Sequence, residues 1–310
     1  MKHCEISIVI PVLNEEETLR ELYKRLISIL EKEMKISYEI IFIDDGGHDT
    51  SWNIIESLHT ENSRVKGIQF SRRFGHQYAL KAGLDYAKGK VLVSMDADLQ
   101  HPPEVIHDLY KKWKEGYQIV QALRKDTKGE SKLKKMTSTC FYHLLNFLSD
   151  IQIEPGSSDF RLLDRQVVDE LKRLNERQLF YRGLIQWVGF KHYSLLYIAD
   201  KRFSGSTKYS FSKMMSFALD GIMSFSTKPL RIAIVLGCIV SLFAFFNIIY
   251  ALFAHFVYQR TVPGWTSILI SVLLLGGIQL ITIGIIGEYV GKLYIENKKR
   301  QNYIIQETIE

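Results

Sequence analysis

The sequence predicts an α/β fold with a mostly parallel sheet, followed by helices that enter a membrane. In the first half, short apolar runs alternate with segments of helical periodicity, and this βαβα order is typical of a doubly wound parallel sheet. Further along the chain, two apolar runs each exceed the roughly 20 residues that a helix needs to cross a bilayer.

Five apolar runs predict the strands of the sheet: "ISIVIPV", "YEIIFID", "VKGIQF", "KVLVSMD" and "YQIVQAL". We expect Asn14 to cap the first helix, because the three glutamates that follow suit a positive helix end. Residues 50–59 predict the second helix. Gly89 is expected to close the third, and the proline pair of "PPEVIHDLYKKWKEG" to open the fourth. Beyond these, "EPGSSDFRLLDR" predicts a loop that enters a strand or a helix, and "HYSLLYIAD" predicts a strand.

Polar clusters follow several of the predicted strands. They occupy residues 11–15, 44–49 and 96–100, together with Arg124. Ligands of such sheets bind at the carboxyl ends of the strands, which share one edge. We therefore expect the aspartates of these clusters to line one crevice: Asp44, Asp45, Asp96 and Asp98.

The segment "DADLQ" has the composition of a site for a hard cation. If Asp96 and Asp98 end a strand, alternation turns both carboxylates to one face, and Gln100 adds an amide oxygen. Such oxygen ligands suit Mg²⁺ or Mn²⁺, which complete their shells with substrate phosphates. The alternative is a solvated turn rich in aspartate.

Charge and cysteine content narrow the class of protein. The net charge of +6 and the pI of about 9.0 suit nucleic acid, an anionic membrane surface or a phosphorylated substrate. The apolar runs favour the last two, and we predict no nucleic-acid partner. The three cysteines are far apart and form no CxxC pair, which predicts free thiols in a reducing compartment.

The two apolar runs, residues 232–257 and 266–289, predict transmembrane helices, with a buried hairpin in a soluble core as the alternative. Lysine and arginine flank the outer ends of both runs, whereas the connecting loop contains only Arg260. The positive-inside rule then places both termini in the cytosol, at the cytoplasmic membrane. Residues 209–225 are amphipathic, which favours a helix lying in the membrane interface over an ordinary surface helix.

Several motifs resemble those of known enzymes. "SIVIPVLNEEE", "DDGGHDTS", "SRRFGHQYALKAGLDYAKG" and "DADLQHPPE" resemble family 2 glycosyltransferases, which have the Rossmann-like GT-A fold. "DFRLLDR", "FYRGLIQWVG", "RFSGSTKYS", "SFSTKPLR" and "GGIQLITIGIIGEYVGKLYIE" are similar to polyprenyl-phosphate glycosyltransferases. Within that group the likeness is to the bactoprenol glucosyltransferases of O-antigen modification, relatives of dolichyl-phosphate mannose synthase. It covers nearly the whole chain.

The resemblance implies an inverting, metal-dependent transfer of a hexose to undecaprenyl phosphate or another polyprenyl phosphate. UDP-glucose is the favoured nucleotide-sugar donor, and Mg²⁺ or Mn²⁺ the cofactor. GDP-mannose, UDP-GlcNAc and an aminoarabinose donor are alternatives, and so is a catalytically inactive membrane scaffold. The implied partners include the lipid bilayer and further copies of the chain, with a tetramer among the possible homo-oligomers.

The resemblance also implies roles for single residues. The nucleotide-sugar would be bound by Pro11, Glu15, Asp44, Asp45 and Asp96, and the metal by Asp96, Asp98 and Gln100. Phosphate groups of donor or acceptor would be bound by Arg124, Arg202 and Lys208. Asp159 would be the catalytic base, or a structural carboxylate paired with Arg161. His48 and His76 are interpreted as rim residues, and Gly47 stands where a serine or threonine is usual.

Together these observations divide the chain into four predicted parts. Residues 1–205 form the cytosolic GT-A domain, and residues 206–228 a juxtamembrane amphipathic helix. Residues 229–293 contain the two transmembrane helices, and residues 294–310 form a cytosolic tail.

Overall fold

The structure is a computed structural model that describes residues 4–124, 157–174, 176–177, 179–198, 223, 226–258 and 264–310. The chain divides into two compact units. One contains the sheet, its helices and Arg300–Glu310, and the other contains two long helices. The predicted amphipathic segment, residues 209–225, lies outside the described residues except for Met223.

The described strands form one mixed sheet in the order β7-β5-β6-β4-β1-β2-β3-β8. Their bounds are β1 Ile6–Val12, β2 Tyr38–Asp44, β3 Val65–Phe70, β4 Val91–Ser94, β5 Ile119–Arg124, β6 Ser157–Asp164, β7 His192–Tyr197 and β8 Ile305–Ile309. β1 pairs in parallel with β2 and β4, β2 with β3, and β5 with β7, whereas β6 and β8 run antiparallel to their neighbours. The predicted fold class, a mostly parallel sheet of the GT-A type, is confirmed.

In the described part of the chain, six α-helices accompany the sheet: α1 Leu19–Ile27, α2 Ser51–Glu61, α3 His76–Tyr86, α4 Val105–Lys114, α5 Arg165–Arg173 and α6 Tyr181–Trp187. A short π-helix, Ser28–Glu33, directly follows α1. All residues of β1 and β2 are buried, and the apolar face of α1 packs on the same core through Leu19, Leu22 and Leu26. Burial of each such side chain contributes about 1.5–3 kcal/mol to folding. The buried strands hold the loops at their carboxyl ends in fixed positions.

Three of the predicted helix ends are wrong. Asn14 adopts a left-handed φ of 56°, and α1 begins only at Leu19, because the Asn14 side chain accepts the N–H of His48 and joins two loops instead. α3 ends at Tyr86, so Gly89 does not close this helix. Gly89 instead allows a close approach to β1, because a Cβ at residue 89 would lie 2.7 Å from the Ser7 nitrogen. α4 begins at Val105, after the proline pair.

The end of the chain returns to the sheet. β8 pairs antiparallel with β3, and the Ser71 N–H donates to the Ile304 carbonyl at 3.0 Å. The Tyr303 ring stacks on Phe70 at 5.1 Å, and its hydroxyl donates to Asp85 at 2.9 Å. The predicted tail therefore contains the edge strand of the sheet. The pairing of β8 depends on the free edge of β3, which lies more than 200 residues earlier in the chain, and a local sequence pattern does not reveal such a partner.

The second unit contains α7 (Lys228–Tyr258) and α8 (Trp265–Asn297), which include the two predicted spans. By length and composition, Lys228–Asn247 and Leu274–Asn297 are able to cross a membrane. Their described apolar side chains are largely exposed, including Phe243 at 67% and Leu280 at 72%. A hairpin in a soluble core would bury these groups, so the structure gives no support to that alternative.

Tyr303→Phe should loosen β8 without removing the ring that stacks on Phe70. Hydrogen bonds to charged groups contribute about 1.5–3 kcal/mol, so we expect amide exchange in residues 305–309 to accelerate about 10-fold or more. Hydrogen-exchange mass spectrometry on the full chain in detergent measures this. Tyr294→Phe on α8 is the control, and equal exchange in the two variants would contradict the assignment of Tyr303 as an anchor of β8.

Candidate active site

The loops after β1 and β2 are joined to each other by hydrogen bonds. The Glu16 carboxylate accepts the N–H and the hydroxyl of Thr50 at 2.9 and 2.6 Å. The Glu16 N–H donates to Asp49 at 3.1 Å, and the Glu15 N–H donates to the Ser51 hydroxyl at 3.0 Å. The predicted nucleotide residue Glu15 thus lies at the carboxyl edge, in a turn tied to the start of α2. Pro11 lies within β1 and is buried opposite Ile43.

Asp44 holds the turn that follows β2. Its buried carboxylate accepts the Gly47 N–H at 2.9 Å and the Gln69 side-chain N–H at 3.2 Å. A Cβ at Gly47 would lie 3.0 Å from Oδ1 of both Asp44 and Asn14. The glycine that departs from the family pattern therefore allows this turn to close tightly on the loop after β1.

Asp45 holds a different loop, which explains how two adjacent carboxylates are tolerated. It accepts the N–H groups of Phe74 and Gly75 at 2.7 and 2.9 Å. Burial raises the pKa of Asp45, although these N–H donors act in the opposite direction. Gly46 has a φ of +67°, and a Cβ there would lie 2.4 Å from the Arg72 backbone, so only glycine fits between the two loops.

The "DADLQ" segment is a turn rather than a strand end. β4 ends at Ser94, and Leu99 has a left-handed φ of 59°, so the strand alternation assumed for Asp96 and Asp98 does not apply. Side-chain exposure nevertheless alternates: residues 96, 98 and 100 are partly exposed, and residues 95, 97 and 99 are buried. The Gln100 N–H donates to Asp98 Oδ1 at 3.1 Å and tightens the turn. The three predicted metal ligands therefore all keep some access to solvent.

The donor set of this turn fits a divalent cation that retains outside ligands. Among the described residues, no three histidine, cysteine, aspartate or glutamate side chains come together as a closed metal site. The turn offers two carboxylates and one amide oxygen. Mg²⁺ and Mn²⁺ accept such sets of oxygen ligands and complete their shells with phosphates and water.

The antiparallel strand β6 brings Asp159 to the same edge. Arg161 on β6 pairs with Ser94, the last residue of β4, so Asp159, two residues earlier on β6, lies beside the turn that contains Asp96. The Ser94 hydroxyl donates to the Asp159 carbonyl at 2.6 Å and strengthens this alignment. Two carboxylates from distant parts of the sequence thus meet across the sheet edge. Arg124, another predicted site residue, lies exposed at the end of β5, aligned with Tyr197 of β7.

Asp159 is buried among cationic groups. Its carboxylate lies 2.6 Å from the Arg161 guanidinium and 3.4 Å from that of Arg182. Burial alone would raise its pKa, but Arg182, His76 and Arg161 outweigh this and hold the pKa well below the usual range. A structural carboxylate paired with Arg161 is the alternative role predicted for Asp159, and this pairing is present. A carboxylate with so low a pKa is a weak proton acceptor, which favours an orienting role.

His76 connects the two acidic groups, and 40% of its side chain is exposed, so it is a rim residue with two acidic partners. Its Nε2 lies 3.3 Å from Asp159 Oδ2 and 3.6 Å from Asp96 Oδ1. Burial lowers the pKa of His76, but the nearby carboxylates of Asp159 and Asp96 raise it by a larger amount. The pKa of His76 is therefore raised overall. The sequence did carry one signal, because His76 opens α3 at the carboxyl end of β3.

His101 is a residue that the sequence reasoning missed. Its buried ring lies between Asp96, with Nε2 3.0 Å from Oδ2, and Tyr197, with Nδ1 2.7 Å from the hydroxyl. Its place in "DADLQH", directly after the predicted metal ligands, was the available signal. The remaining predicted site residues, Arg202 and Lys208, lie outside the described residues.

Comparison with known proteins agrees with this architecture. Residues 7–172 match glycosyl transferase family 2, and residues 228–293 match the GtrB C-terminal hairpin. An uncharacterized glycosyltransferase of Bacillus subtilis, YkcC, is 45% identical over 99% of this chain and 95% of its own. The prophage bactoprenol glucosyl transferase homolog of Escherichia coli is 43% identical, covering 97% of this chain and 98% of its own. The bactoprenol glucosyl transferase of Shigella phage SfV is 41% identical with the same coverage.

A solved structure, mannosyl-3-phosphoglycerate synthase from Rubrobacter xylanophilus, is 14% identical and covers 70% of this chain and 71% of its own, with a TM-score of 0.47. The fold and the family matches define an enzyme, a glycosyltransferase with a GT-A catalytic unit. The chain belongs to glycosyl transferase family 2, and its two long helices form the hairpin that the second match describes.

Asp159→Asn should leave the buried Arg161 without its anionic partner, at a cost of about 3–5 kcal/mol in stability. The native pKa of Asp159 lies below its unfolded value of about 3.9, so its contribution is present above that pH and is lost only as pH falls through the native pKa. We therefore expect the deficit at both pH 7 and pH 5, measured by urea unfolding of the full chain in detergent.

Asp169→Asn is the matched control for this measurement. Asp169 lies 3.7 Å from Arg165 with half of its side chain exposed, and such surface pairs contribute less than about 1 kcal/mol. Equal stability of the two variants would mean that the Asp159–Arg161 pair does not hold the site together.

Proposed function

We propose that the enzyme transfers a hexose, with glucose from UDP-glucose favoured, to undecaprenyl phosphate or a related polyprenyl phosphate. The observation that carries this proposal is the similarity to bactoprenol glucosyl transferases over 97% of the chain, including both long helices. A soluble acceptor would not require the helical hairpin. The lipid-linked sugar would then serve the modification of a cell-envelope glycan.

The donor would bind at the carboxyl edge, where the loops after β1, β2 and β3 meet. Asp44 and Asp45 are buried and hydrogen-bonded to these loops, so their contribution to nucleotide binding is to shape the pocket wall. Glu15 lies in the adjoining turn and, with Pro11 beneath it, completes the proposed nucleotide site.

The cation would be Mg²⁺ or Mn²⁺, held by Asp96, Asp98 and Gln100 on the partly exposed side of their turn. When bound, it would stabilise the negative charge that grows on the leaving diphosphate. The acceptor phosphate would attack the anomeric carbon from the face opposite the leaving diphosphate. Such a single displacement inverts the anomeric centre. Asp96 and Asp159 both lie close to His76 Nε2, at 3.6 and 3.3 Å, and would flank the proposed site of this displacement.

The acceptor phosphate requires little help to lose its proton. A phosphate monoester has a second pKa of about 6, so it is largely dianionic at neutral pH. We therefore assign Asp159 the task of orienting Arg182, and through it the anionic substrates, rather than proton removal. Arg124, Arg202 and Lys208 remain the proposed cations for the phosphate groups of donor and acceptor.

The topology of the chain supports a membrane hairpin with both ends on one side. β7, which precedes the two long helices, and β8, which follows them, are strands of the same sheet. Two crossings would return the chain to the side on which it started, and the positive-inside rule would then assign the catalytic unit to the cytosol. Assembly into a homo-oligomer, with the tetramer among its forms, also remains a proposal.

The reaction is tested by a transfer assay in detergent with Mn²⁺ or Mg²⁺, undecaprenyl phosphate and radiolabelled UDP- and GDP-sugars. We expect label from UDP-glucose in the organic phase. Label from another sugar alone would keep the lipid acceptor and replace the donor. The absence of lipid label with every donor would overturn the proposal in favour of a scaffold or another acceptor.

Asp98→Ala should abolish the metal dependence of UDP binding, because it removes one of two carboxylates that the turn offers. Isothermal titration of UDP with and without Mn²⁺ measures this. Asp108→Ala is the control, since Asp108 lies exposed on α4. Retained metal dependence in Asp98→Ala would remove Asp98 from the metal site.

A further inference from the structure

The His101 ring makes two hydrogen-bonding contacts inside the protein that the proposed chemistry does not use. Nε2 lies 3.0 Å from Asp96 Oδ2, and Nδ1 lies 2.7 Å from the Tyr197 hydroxyl. His101 is 6% exposed, so water does not compete freely for either ring nitrogen. The two contacts link the metal-binding turn to β7, the far edge strand of the sheet.

The chemistry of the two partners restricts which atom donates and which accepts in these hydrogen bonds. An ionised carboxylate only accepts hydrogen bonds, so Nε2 must carry the proton that faces Asp96. In a neutral imidazole the other nitrogen is then an acceptor, and the Tyr197 hydroxyl donates to it. Asp96 therefore selects the Nε2–H tautomer of His101, since the other tautomer would lose the hydrogen bond to the carboxylate, and Tyr197 holds the opposite side of the ring through Nδ1.

Packing holds the donor and the ring in place. The rings of His101 and Tyr197 both contact Phe160, with centroid distances of 5.1 and 5.8 Å. Phe160 is fully buried and directly follows Asp159 on β6. The same strand that supplies Asp159 thus fixes the support of Asp96.

This arrangement distinguishes the two oxygens of Asp96. Oδ2 is engaged by His101, while Oδ1 lies on the side of His76, 3.6 Å away, and 37% of the side chain remains exposed. Because His101 holds Oδ2 of the Asp96 carboxylate, the direction in which Oδ1 points is fixed. Groups that orient metal ligands in this way typically change metal affinity 10- to 100-fold when they are removed.

We propose that His101 and Tyr197 are a positioning pair for the cation: Tyr197 holds the His101 ring, and His101 holds Oδ2 of Asp96 so that Oδ1 remains available to the metal. The inference rests on the proposed metal role of Asp96. It assigns a function to the histidine of "DADLQH" and to the last residue of β7, and it predicts that a single hydroxyl on an edge strand tunes cation affinity.

The test uses Tyr197→Phe in the full chain, because this change removes the hydroxyl and leaves the ring packed on Phe160. Tyr193→Phe is the matched control: Tyr193 is on the same strand, and its ring packs on Tyr117 at 4.9 Å. Mn²⁺ affinity in the presence of UDP is measured by electron paramagnetic resonance. We expect binding about 10-fold weaker in Tyr197→Phe and unchanged in Tyr193→Phe.

Nitrogen NMR of the ¹⁵N-histidine-labelled chain supplies a second readout, with the His101 signals identified by their loss in His101→Phe. The wild type should show a protonated Nε2, and Tyr197→Phe should change the signal of Nδ1, which loses its hydrogen-bond partner. Equal Mn²⁺ affinity in the wild type and in both tyrosine variants would overturn this inference alone. If wild-type protein with UDP bound no Mn²⁺, the proposed metal role of Asp96 would fail first, and this inference with it.

Discussion

The buried pair of Asp159 and Arg161 is the interaction on which the geometry of the site depends. Asp159 also contacts His76 on α3 and Arg182 on α6, so one carboxylate ties β6 to two helices that come from different parts of the chain. A buried charge tolerates the loss of its partner poorly. The positions of His76 and Arg182 are therefore coupled to this ion pair.

The direction of β6 explains why this coupling is possible. Strands of a purely parallel sheet would bring only their carboxyl ends to the ligand edge, whereas β6 enters that edge with its first residues. Asp159 consequently lies beside the turn after β4. Phe160, the next residue of β6, packs on the His101 ring that contacts Asp96. The adjacent residues Asp159 and Phe160 thus contact two different histidines beside Asp96: Asp159 contacts His76, and Phe160 packs on His101.

Local sequence patterns predicted the fold and its ligand edge because buried parallel strands are continuous apolar runs. They predicted the segment from Asp96 to Gln100 as a site, although a turn and not strand alternation sets its geometry. The roles of His76 and His101 were missed because they come from the register between β4 and β6 and from contact with β7. β8 was missed because its partner edge lies far away in the sequence. Patterns of period two or 3.6 contain no information about such distant pairings.

β8 also sets an order of events during biosynthesis. The ribosome releases this strand only after α7 and α8 have been made, so the β3 edge of the sheet stays unpaired until both helices are complete. An unpaired edge is a template for association with other chains. A chain that terminates between α7 and α8 would therefore keep an exposed strand edge, because the segment that covers this edge follows both helices.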